Sequence, residues 1–149
     1  MARSILERIN ILQKIGAPEL FSNLNNGFKA PGKYKWQYQE PSTFNYLTTE
    51  YPDNMPFEND LIPLWETNGD YIVAYVAQDE PKIIKYYFED SAEEFEIIGS
   101  SILDAVEHIL KFEFVEGEAV KSEFFELAAL LKHPNPHQIY KTLVAEYGE

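Results

Sequence analysis

Two histidines, His133 and His137, stand four residues apart, a spacing that lets two imidazoles on one helix turn share a metal ion. Pro134 and Pro136 interrupt that stretch, so the rings do not share a helix face, and no third ligand with zinc-type spacing accompanies them. They read as turn residues. Carboxylate pairs, the residue type for general acid–base work, occur at Asp79-Glu80 and Glu93-Glu94. Among 25 acidic residues such neighbours arise on any acidic surface, so the pairing singles out no catalyst. The seven glycines are scattered and form neither a dinucleotide-binding nor a P-loop pattern. No Gly-x-Ser-x-Gly elbow occurs, and Ser100-Ser101 reads as a helix cap. The lack of cysteine excludes disulfides, thiolate metal sites and cysteine nucleophiles together, and fits a reducing cytoplasm. These residues point away from an enzyme and imply no metal and no cofactor.

Charge points towards a protein partner. The net charge is −13, and it is unevenly placed. From Glu50 to Glu118 there are 18 acids against Lys82, Lys85 and Lys111, a balance of −15. Such a field repels nucleic acid, whose binding depends on neutralising phosphates, and attracts a basic partner. Lys29 to Gln39 mixes three lysines with Tyr34, Trp36 and Tyr38, a superficial likeness to a nucleic-acid platform that the neighbouring acid argues against. The densest run is Glu89-Asp90-Ser91-Ala92-Glu93-Glu94-Phe95-Glu96, with five acids in eight residues. Either a solvated turn or a docking surface accounts for it. Asp79, Glu80, Glu89, Asp90, Glu93, Glu94 and Glu96 are the candidate acidic contacts, and Trp36 and Trp65 the candidate aromatic ones. No apolar run reaches the ~18 residues of a membrane span, and the charged start predicts no signal peptide.

The elements that must position these residues follow from the pattern. The absence of repeats, Gly/Ser linkers and low-complexity tracts predicts a single domain over residues 1–149. Residues 3–15 predict an amphipathic helix capped by Ser4, with Ile5, Ile9, Ile11, Leu12 and Ile15 as its apolar stripe and Gly16 at its end. Pro18 opens a short second helix, and Phe28 to Asp60, with four of the nine prolines, reads as irregular apart from a short strand at Tyr34–Tyr38. Leu61–Glu66 and Tyr71–Ala77 then predict two strands joined through Thr67-Asn68-Gly69-Asp70, where Asn68, Gly69 and Asp70 serve the turn. Lys82–Phe88 and Phe95–Ile98 follow after short connections, so the four strands predict an antiparallel meander. Three helices close the chain. The first begins in a capping box at Ser101-Ile102-Leu103-Asp104, the second runs from Glu118 to Lys132, and Asn135-Pro136 opens the third. The expectation is an α+β domain, a meander of four or more strands flanked by helices at both chain ends, with one sheet face buried.

The stretch Ile62-Pro63-Leu64-Trp65-Glu66-Thr67-Asn68-Gly69-Asp70-Tyr71-Ile72-Val73-Ala74-Tyr75 resembles the SUKH superfamily, the Smi/Knr-like proteins. There an Ile-Pro-hydrophobic strand turns at a Gly-Asp or Gly-Gly and returns through an apolar strand. A further strand and a Ser-initiated helix match Lys82–Phe88 and Ser100-Ser101-Ile102-Leu103-Asp104-Ala105, and Pro18-Glu19-Leu20-Phe21 with Asn26-Gly27 is similar to the family's helical start. The likeness covers about residues 61–110, with looser support over 1–27. It implies an α+β fold without catalytic residues and, in bacteria, an immunity protein that binds and neutralises a toxin, often a nuclease with a basic cleft. The resemblance leaves Trp65 as core or as partner anchor. The expected function is therefore toxin neutralisation through an acidic surface; the alternative is a regulatory or scaffolding module acting on a host protein. Tyr86 or Tyr87 is a candidate dimer face.

Gly69→Val is expected to lower the melting temperature, because a β-branched residue resists the positive φ of a tight Asn-Gly turn. A thermal melt matching that of the parent would count against the turn.

Overall fold

The computed structural model describes residues 3–27, 41–57, 60–67, 70–89, 91–115 and 121–148. Helix α1 (Ile5–Lys14) starts at Ser4, whose hydroxyl accepts the Glu7 N–H while the Glu7 carboxylate accepts the Ser4 N–H, so two amides lacking helical partners are satisfied at once. Gly16 at φ +73° turns the chain into α2 (Glu19–Asn25). Strands β1 (Leu61–Glu66), β2 (Tyr71–Val76), β3 (Lys82–Tyr87) and β4 (Glu96–Gly99) form one antiparallel sheet in the order β1-β2-β3-β4. Helices α4 (Ile102–Val115), α5 (Lys121–Leu130) and α6 (Pro136–Tyr147) complete the chain. The architecture is the expected α+β meander with helices before and after the sheet. Asn68 and Gly69 lie outside the described residues, but Asp70 N–H donates to the Thr67 carbonyl at 3.0 Å and closes the turn between β1 and β2. The predicted strand at Tyr34–Tyr38 and the start of the Glu118 helix also lie outside the described residues.

The sheet is buried on both faces, not one. Ile62, Leu64, Val73, Tyr75 and Ile83 face a core built with α1, α2, α4, α5 and α6. Leu61, Ile72, Ala74, Val76, Ile84 and Tyr86 face a second cluster, roofed by Phe44 and Met55. Strand β1 is therefore buried at every position, and β2 at all but the first. A strand covered on both sides reads as a continuous apolar run instead of an alternation. Leu61-Ile62-Pro63-Leu64-Trp65 and Ile72-Val73-Ala74-Tyr75-Val76 are such runs, and that signal stood in the sequence.

The roof is the largest departure from expectation. Within the stretch read as irregular, Ser42–Glu50 forms helix α3, followed by a single 3-10 turn at Pro52–Asn54. Ser, Thr, Asn and aromatic residues make up seven of the nine positions of α3, with Leu47 and Glu50 as its two strong helix formers, and Pro41 at its N-terminus provides no side-chain cap. Glu66, at the end of β1 and 1% exposed, supplies one instead. Its carboxylate accepts the N–H groups of Thr43 (3.0 Å) and Phe44 (3.1 Å) and the Ser42 hydroxyl (3.3 Å). Burial pushes its carboxyl above the ordinary Glu range, and these hydrogen bonds pull the other way.

Helix α1 also differs. Ile5 and Ile15 are exposed, and the buried positions are Arg8 and Leu12. The Arg8 guanidinium lies 4.9 Å from the centre of the Phe44 ring and donates to Asn45 Oδ1 at 2.6 Å, tying α1 to α3. Burial lowers its pKa. An amphipathic stripe read from apolar residues alone passes over an arginine that faces an aromatic ring.

Glu66→Ala leaves two buried amides unpaired and is expected to cost about 1–3 kcal/mol in urea denaturation at pH 7. Glu66→Gln, which keeps an acceptor, should cost less. Apart from those hydrogen bonds, the parent carboxyl binds its proton more tightly when folded, and this proton-linked stabilisation is full below the unfolded Glu pKa. It is lost as pH rises through the raised folded value, and Glu66→Gln should remove that slope. Parent-like midpoints for the Ala variant would show that α3 does not depend on this cap.

Candidate functional site: the acidic end of the sheet

The two acidic turns expected to act together lie at opposite ends of the β2–β3 hairpin. Asp79 and Glu80 sit between β2 and β3, and both are exposed. Glu89, Glu93 and Glu94 sit beyond the far end of β3, roughly 17 Å away at ~3.3 Å per strand residue, and Glu96 opens β4 opposite Lys85. Asp70, read only as a turn residue, is exposed beside this second group, because its carbonyl accepts the Phe88 N–H at 3.0 Å. One end of the sheet thus carries Asp70, Glu89, Glu93, Glu94 and Glu96. Asp90 and Trp36 lie outside the described residues.

Local structure fixes these acids. Glu94 N–H donates to the Ser91 carbonyl at 2.9 Å, a turn that sets Glu93 and Glu94 outward. Phe95 then packs edge-on against Phe57, ring centres 5.0 Å apart, and holds the start of β4 to the roofed face. After β4 the chain enters α4 through the expected capping box. Asp104 accepts the N–H groups of Ser100 (2.8 Å) and Ser101 (3.1 Å), which lowers its pKa. This grip leaves no room at Gly99, where a Cβ would stand 2.3 Å from Asp104 Cβ.

Lys85, on β3 at this end, is turned into an aromatic clamp. Its ammonium lies 4.3 Å from the Tyr71 ring centre and 5.2 Å from that of Tyr87, and the two rings are 5.4 Å apart. The clamp follows from register, since Tyr71 pairs with Tyr87 and Val73 with Lys85. Burial disfavours the ammonium, but its hydrogen bond to Tyr87 and the fields of Tyr71, Tyr87 and Glu96 outweigh that and raise its pKa. Lys85, Tyr87, Glu94, Phe95 and Glu96 line a shallow cleft of about 260 Å³. Above it on α4, burial lowers the His108 pKa first of all; Lys85 and Lys111 lower it further, and Glu96 opposes them.

Trp65 is 2% exposed and stacks on Phe21 with ring centres 5.7 Å apart. Of its two roles left open by the sequence, the structure gives it the core one, because its position on β1 turns it under α2. Tyr86 is likewise buried, pointing to the roofed face, whereas Tyr87 is 37% exposed. A dimer face through Tyr86 is therefore excluded in this fold. His133 sits in the turn before α6 and accepts the Asn135 N–H at 3.0 Å, while His137 lies within α6 against Phe125. Among the described residues no three His, Asp or Glu side chains gather as a metal site. Nor is any helix among them long and apolar enough to cross a membrane.

The Tyr71–Lys85–Tyr87 clamp was not singled out from the sequence. Its signal was the five-residue connection between β2 and β3, which sets Tyr71 opposite Tyr87 once both strands are placed. Comparisons with family models, with curated proteins and with solved structures find no match.

Because His108 resists protonation in the folded state, its contribution to stability is present above the ordinary His value near 6.5 and is lost as pH falls through the lowered folded value. His108→Asn is expected to flatten the stability profile in that window, measured by thermal melts from pH 7 down to pH 5. A profile unchanged by the substitution would place the acid sensitivity elsewhere.

Proposed function

We propose that this chain is a non-catalytic immunity protein that binds and neutralises a basic toxin domain through the acidic end of its sheet. The observation that carries the reading is the group Asp70, Glu89, Glu93, Glu94 and Glu96, all exposed at one end, while the nearby Lys85 is held against Tyr71 and Tyr87. A net negative patch raises the rate of encounter with a positive cleft and competes for the positions a phosphate backbone would take. The likeness of residues 61–110 to SUKH proteins supports the same role. The buried Glu66 and Arg8 have structural explanations: Glu66 caps α3, and Arg8 links α1 to α3.

The test is capture of partners by the tagged protein at low and high salt, beside a Glu93→Lys, Glu94→Lys, Glu96→Lys variant. A basic toxin domain captured by the parent, released by salt and bound at least about tenfold more weakly by the variant is the expected result. Equal affinity and on-rate for the variant would dismiss this surface. Capture of only a resident host protein would favour a regulatory or scaffolding role.

A further inference from the structure

The sheet has two edges, and they are built differently. At β1 the edge is closed. Pro63 has no N–H to offer, and its carbonyl accepts Asn25 Nδ2 from α2 at 2.6 Å. Asn25 is 2% exposed and also donates to the Phe21 carbonyl at 2.9 Å, so helix and edge are joined by one buried amide. At β4 the edge is open among the described residues. Among the described residues its only strand neighbour is β3, and no side chain or loop among them bonds to the Glu96–Gly99 backbone from the other side.

Edge strands are commonly blunted by lysine, proline or a covering element. β4 is short and irregular at Ile98, between the Ile84–Ile97 and Ile83–Gly99 pairs, but its one charged residue is Glu96, and Ile97 beside it is 59% exposed. The two side chains leave opposite faces. Glu96 pairs with Lys85 on the helix-covered side, and Ile97 pairs with Ile84 on the roofed side, next to the Phe57–Phe95 contact. A strand added here would meet a carboxylate on one face and an aliphatic side chain on the other. A second copy of this chain is a poor occupant, because it carries the same net charge of −13 and the same exposed carboxylates at this end, so its approach is opposed electrostatically.

We propose that the free edge of β4 takes up an extended segment of the partner as a fifth strand, one in which Lys or Arg alternates with apolar residues. Main-chain hydrogen bonds supply the affinity, Glu96 with Glu93 and Glu94 selects the basic side chains, and Ile97 receives the apolar ones. The inference rests on the acidic end being the binding surface and adds how the partner's backbone meets it.

The probes are an alternating Lys-Val octapeptide, an alternating Glu-Val octapeptide, and the Lys-Val peptide N-methylated at every second residue on its pairing side. Titration against the full chain, read by fluorescence anisotropy, is expected to show binding of the Lys-Val peptide and none of the Glu-Val peptide. N-methylation, which keeps charge and length but removes donors, should weaken binding by at least about tenfold. Hydrogen exchange should show new protection confined to Ile97–Gly99 and the residues flanking them. Ile97→Pro, with the fold checked by circular dichroism, should match the effect of N-methylation. If the methylated peptide binds as well as its parent, strand addition is overturned while the acidic surface stands. If no Lys-Val peptide binds but the captured toxin domain still does, strand addition is again overturned. If neither binds, both readings fall.

Discussion

The carboxylate of Glu66 is the interaction on which the second half of the core depends. A nine-residue helix made mostly of weak formers, opened by a proline with no cap of its own, has little reason to persist alone. Held by a strand residue at two amides and a hydroxyl, it lies over the sheet and presents Phe44 to Ile72, Ala74 and Ile84. Remove that anchor and a sheet face lined with aliphatic side chains meets water. The bond also explains why an acid sits at the end of a buried strand: desolvation makes the charged form expensive there, and only paired donors offset the cost.

Roof and surface are connected. The aromatic rings that close the roofed face, Phe57 and Phe95, also fix the start of β4, and with it the acids that precede it. On the opposite face Lys85 serves as packing as much as charge. Its ammonium sits against two tyrosine rings and keeps its charge there, beside the carboxylate of Glu96.

Much of the fold was legible because local signals agreed with one another. Each strand occupies its expected residues to within one position at either end, and the caps at Ser4, Ser101 and Asn135 act as their spacing indicates. What escaped were relations between distant positions. No local window links Glu66 to Thr43, or Arg8 to Phe44, and α3 is a helix chiefly because of partners elsewhere in the chain. The acidic site was half legible for a similar reason. Exposure of the carboxylates followed from composition, but Asp79 and Glu80 fall at the other end of the hairpin from Glu93 and Glu94. Sequence distance counts residues along a strand without saying that the two turns face apart. Trp65 went the other way: the residue type suits an interface, and the alternation that would have shown its burial is hidden in a strand covered on both sides.

The close approach at Gly99 has a consequence for association. With Asp104 gripping the two amides that follow and no clearance for even a methyl group, β4 cannot creep past the first turn of α4. Its lateral position is set mechanically as well as by the ladder to β3. A rail fixed at one end by a helix cap and at the other by Phe95 on Phe57 has little freedom to shift. Ordering this side of a complex then costs little conformational entropy, and the affinity of any ligand along it is spent almost wholly on ordering the ligand itself.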